Sequence, residues 1–266
     1  MPAAPSQPAT DTLTRVIAGL IFVILLDATQ LLFFYPDRTD TLWAWKLQPE
    51  VTAMLLGSVY AGGGYFFARI LFGAPWQRVA AGFPAVIVFV WIAAIATLLH
   101  LDRFIKDGAP FVAWAVLYAV TPFLVPWLVV RNHRRYGAPS GPPLPPLLTA
   151  VLGAVGGGLL VIGVLFLIAP DVAIDGWPWP LTPLTARIVG AVLAMYGTLW
   201  LAVAVHRTWA GARIPLEAHA IGLAFLLLGI VRGEDAIDTG SALAIAIAAG
   251  AAAMLVASAV LSRRAT

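Results

Sequence analysis

Eight apolar runs dominate this chain, and its charges are gathered in the stretches between them. A run of about 20 residues crosses the ~30 Å hydrocarbon core of a bilayer as a single helix. The runs fall at roughly 15–35, 51–72, 79–101, 110–131, 147–169, 184–206, 215–232 and 241–262. They are continuous rather than alternating, which argues for helices and against lipid-facing barrel strands. With 61% hydrophobic and only 11% charged residues, and a mean hydropathy of +0.91, the chain has too little charge to cover a soluble domain. The expected fold is therefore an all-α integral membrane protein with eight transmembrane helices. Residues 1–14 have no positive segment ahead of the first run, which is too long for a signal-peptide core. We expect a disordered tail there and a retained first helix.

Within this frame one stretch is written twice. Pro36-Asp37 and Trp43-Ala44-Trp45-Lys46-Leu47-Gln48-Pro49 return as Pro170-Asp171 and Trp177-Pro178-Trp179-Pro180-Leu181-Thr182-Pro183, an offset of 134. Gly19 pairs with Gly153 at the same offset, Trp76 with Trp209 at 133, and Ile105, Gly108 and Arg131 with Ile237, Gly240 and Arg263 at 132. Two single-residue deletions account for the drift. A tandem duplication is the reading: repeat A over 15–135, a Pro-rich linker over 136–146, and repeat B over 147–264. Four spans per repeat make the two copies parallel, related by an axis along the membrane normal.

Orientation follows from the basic residues. An N-terminus inside the cell places Arg15, Arg69, Arg78, Arg131, Arg134, Arg135, Arg207, Arg213, Arg263 and Arg264 there. Six basic residues remain outside: Arg38, Lys46, Arg103, Lys106, Arg187 and Arg232. This ten-to-six bias puts both termini on the cytoplasmic side of a bacterial inner membrane. The net charge of +3 belongs to these flanks and does not imply nucleic acid.

Asp27, with Gln30 one turn on, is the sharpest single feature. A carboxylate deep in a span costs ~2.5–3.5 kcal/mol on insertion scales and marks a functional site by default. Its counterpart at the 134 offset is Val161. Arg187 likewise stands where the first copy has Ala53 or Met54, and it is the base best placed to reach Asp27. An ion pair between them is expected, structural or substrate-binding. At the outer end of the third run, His100, Asp102 and Arg103 face a counterpart set of Arg232, Glu234 and Asp235, and these are further ligand-binding candidates. Trp43, Trp45, Trp177 and Trp179 are read as interfacial anchors, with an aromatic platform for an outer ligand as the alternative.

The chain has no cysteine, which excludes disulfides and thiolate chemistry. No nucleotide loop, serine-hydrolase elbow or zinc-protease motif is present. By this topology His100 is outside and His133, His206 and His219 are inside, so a transmembrane bis-His haem is not expected and His206 with His219 at the inner face is the remaining pair. No cofactor, metal or catalytic residue is expected. Pro36-Asp37, Trp43-Ala44-Trp45, Thr52-Ala53 with Gly57, and Leu99-His100-Leu101-Asp102-Arg103-Phe104 together resemble uncharacterised polytopic membrane proteins of actinobacterial type. That resemblance covers mainly the first copy and implies no activity.

Two functions fit these residues. One is binding or passage of a small solute or lipid at the interface between repeats, as in a transporter. The other is an accessory or scaffold subunit whose partner is a larger membrane complex or a second copy of the chain. A membrane-embedded enzyme using outer acids or His is the weaker third.

Overall fold

The structure is a computed structural model, and it describes residues 9–264. Among them every regular element is helical, and eight helices are long and apolar enough to cross a membrane. They are α1 (Thr12–Phe34), α2 (Glu50–Leu71), α3 (Trp76–Leu99), α4 (Ala109–Tyr136), α5 (Pro146–Ile168), α6 (Pro183–His206), α7 (Trp209–Arg232) and α8 (Ala242–Arg264). The all-α class and a multi-pass membrane protein are what this architecture fits.

Boundaries moved where capping overrode the apolar pattern. The seventh apolar run begins at 215, but α7 begins at Trp209, where the Thr208 side chain accepts from the Gly211 N–H. Pro215 then lies inside the helix. The tail expected over 1–14 has residues 1–8 outside the described residues. Asp11 caps α1 by accepting from the Thr14 N–H at 2.9 Å, and it pairs with Arg131 of α4 at 2.5 Å. Thr14 and Asn132 are both buried and bonded to each other beside this pair. The start of α1 is thereby fastened to α4.

The packing is interlocked. α2 and α6 are the two central helices; α1 lies on α2 and α5 lies on α6. The third helix of each half crosses to the other half, so that α3 packs on α6 and α7 packs on α2. α4 and α8 attach outside, on α3 and α7.

The α5–α6 contact is backbone against backbone. A Cβ on Gly163 would stand 2.4 Å from the Ala194 nitrogen, and one on Gly197 would stand 2.5 Å from that of Leu160. Small residues at such crossings let membrane helices approach closely. At one end of the bundle lie the Trp-bearing loops; at the other lie the loops after α2, α4 and α6, with Arg69, Arg135 and Arg207. These are called the tryptophan end and the arginine end.

Candidate functional site

A cavity of about 110 Å³ lies between the halves, at the level where α2, α4, α6 and α7 each reach mid-length. Its walls are almost wholly apolar, with Phe66, Phe89 and Met195 among them. The polar exceptions are few. Tyr60 and Tyr118 join hydroxyls at 2.9 Å, so each satisfies the other. His219, only 2% exposed, shares a hydrogen bond with Ser258 through Nδ1 at 3.0 Å. Its ring packs 4.4 Å from that of Tyr196, between centroids. The other nitrogen, Nε2, is buried and has no partner among the described residues. Buried polar atoms are almost always hydrogen-bonded, so this nitrogen stands out in an otherwise well-satisfied bundle centre.

Toward the arginine end, α2 and α7 are joined by a polar cluster. Glu217 accepts from Tyr65 Oη at 2.6 Å and from Arg69 Nη1 at 2.5 Å on one oxygen, and from Arg213 Nε at 2.9 Å on the other. Arg69 also bonds the Tyr65 hydroxyl. Sequence reasoning missed Glu217. A start at 215 placed it in the first turn of a span, where a carboxylate attracts no notice. Its spacing of four from Arg213 was the available signal.

Arg187 does not pair with Asp27. Its Nε donates to the Leu167 carbonyl at 3.0 Å, and its Nη1 meets His100 Nε2 at 2.7 Å. Leu167 lies in the last turn of α5, where carbonyls lack intrahelical partners and the helix dipole favours a cation. The end of α1 is served in the same way: Arg232 Nη1 donates to the Phe33 carbonyl at 2.5 Å, and its guanidinium lies over the Phe33 ring. Asp27 and Gln30 are exposed on α1. Asp102 and Arg103 form an exposed ion pair at 3.1 Å, and Glu234 and Asp235 are exposed in a short turn. Among the described residues no group of three His, Asp or Glu could hold a metal.

The four tryptophans pack into the protein. Trp45 and Trp179 are 2% and 3% exposed, and Trp43 and Trp177 are partly buried beside them. Trp179 Nε1 donates to Thr52 Oγ1 at 3.0 Å, joining the loop before α6 to the head of α2. Trp45 lies against Trp114 and Phe104. Comparison with known protein families, curated proteins and solved structures finds no match.

Proposed function

We propose that this multi-pass membrane protein binds, and passes, a small largely apolar solute or lipid in the cavity between its halves. One observation carries the reading: a largely apolar mid-bundle cavity whose lining includes the buried His219, with its unpartnered Nε2. A ligand with one hydrogen-bonding group and a hydrocarbon body fits that wall. The test is extraction of the protein purified in mild detergent, followed by mass spectrometry. A molecule recovered from the wild type and lost from His219→Leu, at equal thermal stability, is the expected result. An empty wild type, with His219→Leu more stable than it, would overturn the reading.

We further infer that the halves are parallel repeats with both termini in the cytoplasm of a bacterial cell. The packing pattern supports this. α1 on α2 matches α5 on α6, α7 on α2 matches α3 on α6, and α3–α4 matches α7–α8. The Tyr65–Arg69–Arg213–Glu217 cluster also has an apolar counterpart. The positions at offsets of 134 and 132 are Leu199, Val203, Ala81 and Ala85, which pack together in one core.

The scaffold reading has one observation in its favour. α8 packs chiefly on α7 and leaves most of its Ala-rich surface uncovered, with Ile245, Val256 and Val260 exposed. A stoichiometric partner that co-purifies in mild detergent would favour it.

A further inference from the structure

A second cavity, of about 270 Å³, opens between α1 and α4 toward the tryptophan end. The two helices are tied together at the arginine end by Asp11–Arg131 and Thr14–Asn132. Away from that tie, Ile24, Leu31 and Leu117 line a groove between them, and Trp43, Tyr60 and Trp114 stand among its walls. Asp27 is in the same lining. It is exposed, and its carboxylate makes no hydrogen bond or ion pair among the described residues. An unpaired carboxylate in a membrane-spanning helix is costly and calls for a cationic partner.

Among the described residues no basic side chain supplies that cation. Arg187, the nearest expectation, is engaged by Leu167 and His100. The aromatic walls are suited to receive one from outside. Trp43 lies 5.7 Å from Trp114 and 6.0 Å from Tyr60, between centroids. Trp114 is held by its Nε1 bond to Thr97 at 2.9 Å, and Tyr60 by its bond to Tyr118. Rings fixed in this way are preorganised, and their faces attract a weakly hydrated cation such as a substituted ammonium. The groove is not a by-product of the bundle's construction. At the same offsets the second half has Val161, Ala194 and Ala246 in place of Asp27, Tyr60 and Trp114. A metal ion is a poor fit, since one carboxylate among rings offers too few ligands.

We propose that this groove is a binding site for an alkylammonium group, with the cation at Asp27 beside the aromatic wall and its hydrocarbon along Ile24, Leu31 and Leu117. The site opens beside the central cavity and does not rest on its role, although Leu25, Tyr60 and Leu117 line both. A lipid ammonium head and a free alkylammonium share this chemistry.

The test uses the full chain in neutral maltoside micelles, with hexyltrimethylammonium as the probe and tryptophan fluorescence as the readout. Saturable quenching or shift is expected, weakened about tenfold or more in Asp27→Asn, a loss of at least ~1.4 kcal/mol. Asp37→Asn, an exposed acid at the same end, should leave binding unchanged. Asp27→Asn should melt no lower than wild type without probe, since it removes an unpaired charge. The wild type alone also decides the matter. The uncharged isostere 2,2-dimethyloctane should not reproduce the saturable signal. Competition by phosphatidylethanolamine but not phosphatidylglycerol would assign the site to a lipid head; competition by neither would assign it to free alkylammonium. Equal binding of the two isosteres, or of wild type and Asp27→Asn, would overturn the proposal.

Discussion

Arg187 and His100 meet at 2.7 Å, Nη1 to Nε2, from positions 87 residues apart in the two halves of the chain. Arginine can only donate, so the imidazole accepts through an unprotonated Nε2. The same guanidinium caps the end of α5 through Leu167, the task that Arg232 performs for the end of α1 through Phe33. His100 is the counterpart of Arg232 at the 132 offset. An imidazole is shorter than an arginine side chain, and Arg187, placed where the first half has Ala53, brings the guanidinium to the carbonyl. A position that looked like half of an intramembrane ion pair is a helix cap supported by a histidine.

This pair makes stability pH-dependent. His100 lies just beyond α3, and its pKa is held below the ordinary value of 6.5, first by burial and then by the Arg187 charge. Arg103 adds to the depression and Asp102 opposes it. The unfolded chain therefore binds the proton more readily than the folded one. The stabilisation is fully present above 6.5 and is lost as pH falls from there through the depressed folded value. Thermal melts in detergent should show the wild type losing stability over that range, with His100→Gln losing measurably less. Parallel curves for the two would remove His100 from the account.

The glycines of α5 and α6 give a second prediction, with its control in the same helix. A methyl at Gly163 or Gly197 collides with backbone of the facing helix, which cannot yield as a flexible side chain would. Gly163→Ala and Gly197→Ala should each cost about 1–3 kcal/mol. Gly157 and Gly158 have nothing within 4 Å of such a methyl. Alanine there should be neutral or stabilise by up to about 1 kcal/mol, because it lowers the entropy of the unfolded chain and suits a helix. Equal effects at all four sites, measured by unfolding in mild detergent, would contradict the packing.

How far the sequence could be read is clear from these residues. The helical class and the count of spans were legible because hydrocarbon permits few solutions, and apolar length records them directly. The start of α7 was not, because a threonine cap and an interior proline compete locally, and only packing decides between them. Comparing residues at the 134 offset singles out Arg187 and Asp27 as charges facing apolar positions. It could not give direction, since the need of a helix end for a donor, at Leu167, leaves no mark in composition. Trp45 and Trp179 were read through the preference of their residue type for interfaces, and what composition does not record is that Phe104 and Trp114 pack on Trp45 and that Thr52 accepts from Trp179.

Sidedness can be checked directly. Reporter fusions at Arg135 and Arg264 should register in the cytoplasm and fusions at Asp107 and Asp175 outside, on the strength of the ten-to-six bias in basic residues. Arg135 and Asp107 lie at opposite ends of α4, so those two must disagree in any arrangement where α4 spans. Arg135 found outside would reverse the orientation.

The Glu217 cluster provides the last prediction, and it bears on the duplication as well as on stability. Glu217→Gln removes the charge that Arg69, Arg213 and Tyr65 all address and turns one of its two acceptor oxygens into a donor, so that a mostly buried guanidinium or the Tyr65 hydroxyl faces an NH2 group. Hydrogen bonds to a charged group contribute about 1.5–3 kcal/mol, and a loss of that size is expected. Replacing the whole cluster should behave differently. If the α2–α7 contact is the counterpart of α6–α3, then Tyr65→Leu, Arg69→Val, Arg213→Ala and Glu217→Ala together write the second interface into the first. That set copies Leu199, Val203, Ala81 and Ala85, which already pack as a core. Exchanging a partly buried ionic network for well-packed apolar groups is often neutral or better. The fourfold variant should therefore melt above Glu217→Gln, near the wild type. A fourfold variant less stable than the single one would mean that the two contacts are not interchangeable, and the repeat reading would fail with it.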